Sequence, residues 1–377
     1  MRLLFASDSF KGSISSEKSA QLLTQAAYEV FGDVECISVP IADGGEGSVS
    51  AVIQSTGGSL ICADVHDPLG EKIKATYGQI STKRAIIEMA SASGLTLVPQ
   101  EERNPLYTTT FGTGEMILDA LERGFEEIYI AIGGSATNDG GIGCLKALGV
   151  KFFDGAGSEL DGCGKDLANI AYIDVSGLDK RVAKTKFTVM CDVTNPLCGP
   201  DGATFTFARQ KGASEDVLIQ LENGMQNYRE RIVAKFGIDP NCIVGSGAAG
   251  GLGCALFVFL NAKLRSGIDS ILEISNFDQK LQGVDFVVTG EGCTDWQSSH
   301  GKVLQGIGEC CQKYGIPAVA IVGGMGKGAE EIYNHGITSI ITTVNAPMSL
   351  KEALERAEEL YYGAAVRLFR LLKSSIE

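Results

Sequence analysis

The sequence predicts an α/β fold with a mainly parallel sheet. Short apolar runs of strand length alternate with longer segments in which apolar residues recur at helical spacing. Loops rich in glycine and small polar residues follow several of these runs, which is typical of the carboxyl ends of strands in α/β proteins. The chain has 377 residues, of which 44% are hydrophobic, so it can form two domains or one elaborate domain.

The first predicted elements lie at the N-terminus. The run LLFA (3–6) predicts a strand, and the segment 15–32 predicts a helix with an apolar face that ends at Gly32. The run ECISVP (35–40) predicts the second strand. This order of strand, helix and strand begins the predicted sheet.

The C-terminal part of the chain shows the same alternation. A predicted helix covers 302–315, with Pro317 just after its end. The last helix begins at the capping-box pattern Ser349-Leu-Lys-Glu352 and continues to about residue 373. Three short apolar runs predict further strands of the sheet, namely DFVV (285–288), AVAIV (318–322) and TSIITTV (338–344).

The middle of the chain has a different pattern, because turn residues break short β-like runs at 63–90, 151–160 and 202–212. The segment 111–134 predicts a helix and then a strand, so we assign it to the main sheet. The predicted division is a main α/β domain and a smaller inserted α/β domain richer in β structure, with the active site in the cleft between them. The main domain comprises residues 1–60, 106–150 and 245–377, and the inserted domain comprises residues 61–105 and 151–244.

Composition excludes several classes of function. The net charge of −14 and the lack of a Lys/Arg cluster argue against binding to nucleic acid or anionic membranes. No apolar run approaches the ~20 residues of a transmembrane helix, and Asp8 and Lys11 interrupt the N-terminal run too early for a signal peptide. The 11 cysteines, without C-x-x-C, fit reduced thiols in a cytoplasmic protein. The 3 histidines are too few for a His-rich zinc site, whereas a hard cation on oxygen ligands is allowed.

The position of small polar residues is the main functional signal. They occur in loops after predicted strands, in ASDSFKGS, PIADGGEGS, IGGSATNDGG, CDVTNPL, TGEGCTD and VGGMGKG. Because ligands of open α/β sheets bind outside the carboxyl ends of the strands, we expect these loops to converge on one cleft. In IGGSATNDGG (132–141), glycine backbone can approach an anion closely, with N–H groups at the next helix N-terminus facing it.

One stretch suggests an alternative function. Gly245-Ser-Gly-Ala-Ala-Gly250 matches the dinucleotide fingerprint G-x-G-x-x-G, and Asp269 lies about 20 residues further on. Only the short run CIV precedes it, so a phosphate-binding or helix-entry loop and close helix packing are alternative explanations. An NAD(P)-dependent oxidoreductase is therefore one alternative function, and a non-catalytic sensor of a hydroxy acid is another.

Seven longer motifs occur in the order expected of one family, namely ASDSFKGSIS, PIADGGEGSV, RNPLYTTTFGTGE, IGGSATNDGGIG, CDVTNPLCGPDGAT, GSGAAGGLG and TGEGCTDWQSSHGK. Through them the chain resembles the class I glycerate kinases from residue 1 to about 370. The resemblance implies a flavodoxin-like, doubly wound main domain with a smaller inserted domain. It also implies ATP- and Mg²⁺-dependent phosphorylation of D-glycerate, a small-molecule partner, to 2-phosphoglycerate.

Some details stay open within this resemblance. The acceptor can be another small hydroxy acid, the product can be 3-phosphoglycerate, and the protein can be a monomer or a homodimer. Two positions depart from the family pattern. Ser7 stands where the family usually has Pro, and Cys293 stands where the usual pattern G-E-G-R-x-D-x-Q has Arg.

Phosphoryl transfer to a hydroxyl group requires groups that position the reactants and neutralise charge, and polar residues in these loops are the candidates. The hydroxyl needs a group that accepts its proton, for which Asp295 is the first candidate and Asp8 and Asp192 are competitors. We expect Lys11 to contact the transferred phosphate or the substrate carboxylate, and Asp192 is also the candidate Mg²⁺ ligand. The candidates for binding substrate or nucleotide are Asp43, Glu46, Gly133, Gly134, Ser135, Thr137, Asn138, Asp139, Asn195, Glu291, His300 and Lys302.

Overall fold

The structure is a computed structural model that describes two compact units of the chain. The first unit comprises Met1–Asp43, Ser50–Gly57 and Ser266–Glu377, and the second comprises Gly44–Val49 and Gly58–Arg265. For Gln297, Ser299, Ser375 and Ile376 the structure describes the backbone alone. The described residues are 1–376 without Lys11, Asp43, Glu46, His300 and Gly301.

The strands of both units are short, as expected for α/β proteins. In chain order along the described residues they are β1 (Arg2–Ser7), β2 (Glu35–Ser38), β3 (Ser59–His66), β4 (Lys72–Gln79), β5 (Arg84–Glu88), β6 (Glu127–Ala131), β7 (Lys151–Phe153), β8 (Tyr172–Asp174), β9 (Lys186–Met190), β10 (Lys263–Arg265), β11 (Phe286–Thr294), β12 (Ala318–Met325) and β13 (Ile337–Thr342).

The helices range from single turns to the 22 residues of the longest. In the same part of the chain they are α1 (Ser16–Phe31), α2 (Ser48–Thr56), α3 (Ala90–Ser93), α4 (Phe111–Glu122), α5 (Ile142–Ala147), α6 (Ala203–Phe207), α7 (Glu215–Phe236), α8 (Ala248–Leu260), α9 (Gly267–Ile274), α10 (Phe277–Lys280), α11 (Val303–Tyr314), α12 (Leu350–Glu355) and α13 (Ala357–Ile376). No helix among the described residues combines the length and apolar character that crossing a membrane requires.

The first unit is built on a parallel sheet in the order β2–β1–β11–β12–β13. Counted within the unit, this is the order 2-1-3-4-5 of flavodoxin-like sheets. Leu3 and Phe5 pack with α1 and α13, while Leu4, between them, is equally buried on the opposite face. Since both faces of the sheet are covered, the predicted doubly wound α/β fold is confirmed.

The ends of two predicted helices have the expected caps. The Ser15 hydroxyl accepts the Lys18 N–H at 3.1 Å, and Gly32 ends α1 with a φ of 78°. The Ser349 hydroxyl accepts the Glu352 N–H at 3.2 Å. The last predicted helix is two helices, however, because Arg356 leaves helical geometry between α12 and α13.

The second unit contains a mixed sheet in the order β10–β9–β6–β5–β4–β3, in which β10, β9, β6 and β5 are parallel and β4 and β3 antiparallel. A separate antiparallel pair joins β7 and β8. The predicted assignment of 111–134 to the main sheet is wrong, because β6 pairs with β5 and β9. An apolar strand such as EEIYIA fits the centre of any parallel sheet, so its sequence does not identify its neighbours.

Two further expectations about the second unit differ from the structure. The inserted unit is the larger of the two, since it includes 106–150 and 245–265. The segment 202–212, predicted as β-like, forms α6 and a 3₁₀ turn at Arg209–Lys211. Ala203 and Ala208 are fully buried there, so packing outweighs the strand propensity of the phenylalanines and threonines between them.

The Gly245–Gly250 stretch packs against another loop of the second unit. Gly250 has a φ of 64°, and a Cβ on it would lie 2.1 Å from the Thr137 carbonyl oxygen. Its own carbonyl accepts the Gly140 N–H at 2.9 Å. The glycine pattern therefore serves close backbone packing rather than the strand-to-helix turn of a dinucleotide site.

Candidate active site

A pocket of about 490 Å³ opens in the first unit at the carboxyl ends of its parallel strands. One part of its lining is polar, with Asp8, Glu291 and Lys302. Another part is an apolar wall, formed by Phe10, Ile14, Leu350, Ala353, Leu354 and Ala357.

Asp8 follows β1 directly and lines this pocket, with 8% of its surface exposed. Its backbone N–H donates to the Gly290 carbonyl at 2.9 Å, and its carboxylate accepts the Ser9 N–H at 2.7 Å. The neighbouring Ser7 hydroxyl lies 3.3 Å from the Tyr361 hydroxyl in the core. The strand end thus holds one carboxylate in a fixed position.

Glu291 is the second carboxylate of the pocket and is 8% exposed. Burial raises the pKa of Glu291, while hydrogen bonds from Ser298 and Thr294 and the charge of Lys302 lower it. Lys302 lies directly before α11, where the first N–H groups of the helix have no intrahelical acceptor. The pocket therefore places a cation and a helix N-terminus close to two acidic side chains.

Two leucines of the apolar wall are exposed to an unusual degree. Leu350 is 75% exposed and Leu354 is 44% exposed, and both line the pocket. Leucine side chains at the rim of a concave site, next to a few polar groups, are typical of a surface that a ligand covers.

Cys293 also lines the pocket and is exposed. Partial burial raises the pKa of its thiol, and the negative charges of Asp295 and Glu291 act in the same direction. The position at which the resemblance predicts Arg therefore lies on the pocket surface, where Cys293 leaves out the positive charge of an Arg.

The other predicted residues of the first unit lie elsewhere or are not described. Asp295 is half-buried, and its N–H donates to the Ser298 hydroxyl at 3.3 Å. It is not among the residues lining the pocket. Lys11 and His300 lie outside the described residues. Their predicted contacts with substrate or phosphate stay predictions.

In the second unit, the loop IGGSATNDGG (132–141) follows β6. The Asp139 side chain is fully buried and accepts hydrogen bonds from Thr110 N–H (2.8 Å), Thr110 hydroxyl (2.7 Å), Gly141 N–H (3.1 Å) and Gly143 N–H (3.3 Å). Burial raises the pKa of Asp139, and these donors lower it. Asp139 thus holds the loop together from inside, and its predicted ligand contact stays a prediction.

Thr137 and Asn138 are also fully buried. The Asn138 amide donates to the Thr204 hydroxyl at 3.2 Å. The Thr137 hydroxyl and the Asn138 carbonyl oxygen have no hydrogen-bond partner in the described part of the chain. Their predicted ligand contacts are untested, although neither side chain reaches the surface.

The accessible part of this loop is the turn Gly133–Ser135. Gly134 is exposed with a φ of 75°, and Ser135 is 8% exposed. The backbone N–H groups of Gly133, Gly134 and Ser135 donate to no acceptor among the described residues. A turn with several unpaired N–H groups is suited to binding an anion.

Lys211 is a residue of this site that the sequence did not suggest. It is 2% exposed, and its ammonium group donates to the Ser135 hydroxyl at 2.6 Å and to the Thr137 carbonyl at 2.7 Å. Its location in a segment predicted as β-like, without a known motif, gave no functional signal.

The remaining candidates are in different surroundings. Asn195 is half-buried and donates to the Asp201 carbonyl at 2.7 Å, which ties its loop to the start of α6. Asp192 is exposed, and its metal-binding role stays a prediction. Asp43 and Glu46 lie outside the described residues. Over the rest of the chain, no group of three or more His, Cys, Asp or Glu side chains is arranged to hold a metal ion.

Comparison with known proteins agrees with this geometry. The sequence model of the glycerate kinase family matches residues 3–373. The chain is 43% identical to glycerate kinase of Bacillus subtilis (strain 168) over 360 residues, and 44% identical to glycerate 2-kinase of Escherichia coli (strain K12) over 358 residues. Each alignment covers 95% of this chain and 94% of the relative.

A solved structure shows the same similarity in three dimensions. The crystal structure of a candidate glycerate kinase 2 from Salmonella typhimurium LT2 matches with a TM-score of 0.89 and 39% identity. The match covers 100% of this chain and 99% of that one. The chain therefore belongs to the glycerate kinase family and, with it, to the phosphotransferases.

Proposed function

We propose that this protein transfers the γ-phosphoryl group of ATP to the 2-hydroxyl group of D-glycerate, which gives 2-phosphoglycerate and ADP. The family supports the reaction class, and the name of the Escherichia coli relative, glycerate 2-kinase, supports the position of transfer. The observation that carries the proposal is the first unit's pocket, where Asp8, Glu291 and Lys302 lie at the carboxyl end of a parallel sheet beside an apolar wall.

The shape of this pocket favours the nucleotide as its ligand. Its volume of about 490 Å³ is within the range of sites that enclose a whole small molecule. A nucleobase has flat apolar faces that would cover Leu350 and Leu354, whereas glycerate is small and polar throughout. We therefore place the base and ribose of ATP against the apolar wall.

Lys302 and the N-terminus of α11 would then hold the phosphates. Lys302 carries a positive charge, and the helix N-terminus next to it carries a partial positive charge. Phosphoryl transfer is catalysed mainly by positioning the reactants and neutralising charge on the transferred group. These two features supply that neutralisation without a glycine-rich P-loop.

Glu291 fits the role of a magnesium ligand. Kinases hold Mg²⁺ through one or two carboxylates together with the substrate phosphates, so no cluster of three acidic residues is required. The Glu291 carboxylate is buried at the pocket, where burial disfavours its charge and a bound cation would favour it. When bound, the ion would neutralise charge on the phosphate oxygens.

Asp8 is the better placed of the candidate bases in the first unit. It lines the pocket, whereas Asp295 does not. The Ser9 N–H bond fixes the Asp8 carboxylate in one orientation. We propose that Asp8 accepts the proton of the attacking hydroxyl, a role that requires a carboxylate within hydrogen-bonding reach of it.

An ADP-release assay with a panel of acceptors tests the substrate. We expect Mg²⁺-dependent ADP formation with D-glycerate at a higher kcat/KM than with L-glycerate, glycolate or lactate. Reactions without an acceptor give the background ATP hydrolysis to subtract. A higher kcat/KM for another hydroxy acid, or ADP release that no acceptor stimulates, would contradict the proposal.

A further inference from the structure

A buried ammonium group lies directly behind the accessible turn of the second unit. Lys211 belongs to the 3₁₀ turn Arg209–Lys211, which ends at Gly212 with a φ of 95°. A Cβ on Gly212 would lie 2.1 Å from the Arg103 carbonyl oxygen, so only glycine allows this close approach. The backbone that follows Lys211 is therefore held in one place by this close contact.

Few charged residues in the described part of the chain are as deeply buried as Lys211. Lys211 is 2% exposed, yet its two hydrogen bonds go to a neutral hydroxyl and a carbonyl and not to a carboxylate. A buried cation without a directly bonded anion is costly for the folded protein. Such an arrangement is expected where the counter-charge is a ligand.

One hydrogen bond connects Lys211 to the turn Gly133–Ser135. Its ammonium donates to the Ser135 hydroxyl, so the hydroxyl proton of Ser135 is directed away from Lys211 and is available to a ligand. Ser135 is the last residue of the turn whose three N–H groups lack protein acceptors among the described residues. An anion on Gly133–Ser135 would meet these N–H groups and, through Ser135, a positive charge.

We propose that Lys211 is a positioning residue that holds the Gly133–Ser135 turn, with the Ser135 hydroxyl as donor, for the carboxylate of the hydroxy-acid substrate. The inference rests on the proposed function, which supplies that substrate. A carboxylate fits better than the phosphates of ATP, because the turn is compact and the first unit's pocket already offers a cation and a helix N-terminus for phosphate.

The protonation of Lys211 gives the proposal a distinct signature. Burial lowers the pKa of Lys211 to about 7, and the charge of Asp139 raises it only in part. Asp139 is the titratable group that acts on Lys211 among the described residues, and Arg209 on the same turn pairs with Glu215 instead. Above neutral pH the free enzyme thus has a mostly neutral Lys211, and binding of a carboxylate would draw a proton onto it.

The test replaces the cation by a side chain of similar length. In Lys211→Met we expect the KM for D-glycerate to rise about 30-fold, the loss associated with a charged hydrogen-bond network, and the KM for ATP to change less than about 3-fold. Lys165→Met is the matched control, because Lys165 belongs to the same unit and has a side chain that is 41% exposed. We expect that variant to keep both constants.

Calorimetry supplies a readout that a merely structural role would not change. D-Glycerate is titrated into wild type at pH 8 in two buffers with different ionisation enthalpies. We expect net proton uptake by wild type and by Lys165→Met, and none by Lys211→Met. At pH 6, where Lys211 is already charged, uptake by wild type should be small.

The outcomes separate this inference from the proposed function. If wild type neither binds nor phosphorylates D-glycerate, the proposed function fails and the inference falls with it. If wild type does both and Lys211→Met keeps the glycerate KM and the proton uptake, only the inference is wrong. A rise in the KM for ATP alone would also overturn it, since the anion would then be a phosphate.

Loss of folding in Lys211→Met would move the test to Ser135→Ala, a smaller change. We expect that variant to raise the glycerate KM about 10-fold while proton uptake persists, because the ammonium stays in place. A glycerate KM within about 2-fold of wild type would overturn the role of Ser135 and, with it, the proposed route from Lys211 to the substrate.

Discussion

The two glycine-rich loop systems of this protein use their polar residues in opposite ways. In the first unit, Asp8, Glu291 and Lys302 line the pocket in which we propose that the nucleotide binds. In the second unit, Asp139 is buried inside the loop, and the turn Gly133–Ser135 offers backbone N–H groups instead. The difference lies in the surroundings of the carboxylates, because Asp8 and Glu291 line a pocket whereas Asp139 is enclosed by donors of its own loop and of Thr110.

The largest effect is expected where a buried carboxylate organises the loop. Asp139→Ala leaves the Thr110 hydroxyl and three N–H groups without their acceptor, which should lower the free energy of unfolding by about 4 kcal/mol. Urea denaturation measures this change. Asp161→Ala is the control, since the Asp161 side chain is 85% exposed, and should change stability by less than about 0.5 kcal/mol. Similar small losses in both variants would remove the contrast between the loops.

In the first unit the same kind of change should affect activity and not stability. Asp8→Asn should lower kcat about 100-fold or more, as expected for a positioned base, with the free energy of unfolding within about 1 kcal/mol of wild type. Asp295→Asn, outside the pocket lining, should lower kcat less than about 10-fold. Steady-state measurement of kcat for both variants shows which carboxylate is the base. A larger loss in Asp295→Asn would return the role of base to Asp295.

The apolar wall sharpens the comparison further, because the loop of the second unit has no exposed leucine. Leu350→Ser should raise the KM for ATP about 10-fold by removing apolar surface that the base covers, and should leave the KM for D-glycerate unchanged. Leu371→Ser is the control, since Leu371 is also exposed, at 68%, but lies away from the pocket. Equal KM values for ATP in both variants would place the base elsewhere.

The smallest effect concerns the departure from the family pattern. Cys293→Arg should lower the KM for ATP about 3-fold, because the added cation would lie on the same pocket surface as Lys302. Initial rates at varied ATP concentration measure the change. A decrease in the KM for D-glycerate instead would indicate that the acceptor, and not the nucleotide, contacts this position.

Much of the first unit can be predicted from sequence, and the reasons are local. LLFA has a strand pattern and lies within β1. Ser15 and Gly32 have the chemistry of helix caps, and they cap the two ends of α1. The sheet membership of EEIYIA depends on distant partners, since an apolar strand is compatible with either sheet. The assignment of this strand to the second unit therefore depends on pairing with distant strands, which the local sequence does not show.

The candidate site was only partly predictable for a similar reason. The sequence identifies loops rich in small polar residues, but it does not show which side chains are turned inward. Asp8 and Asp139 are both carboxylates in glycine-containing loops, and only the fold separates their surroundings. The sequence does not identify Lys211, because its link to the site depends on the fold. In the structure, α6 and the turn after it bring its ammonium group within hydrogen-bonding distance of Ser135.

The central claim is that D-glycerate is phosphorylated at its 2-hydroxyl group. Proton-coupled ³¹P NMR of the wild-type protein with Mg-ATP and D-glycerate tests it directly. We expect a new phosphomonoester signal that grows together with ADP and is split into a doublet by the single proton on C2. A triplet from the protons on C3, or the absence of any phosphomonoester while ATP persists, would contradict it.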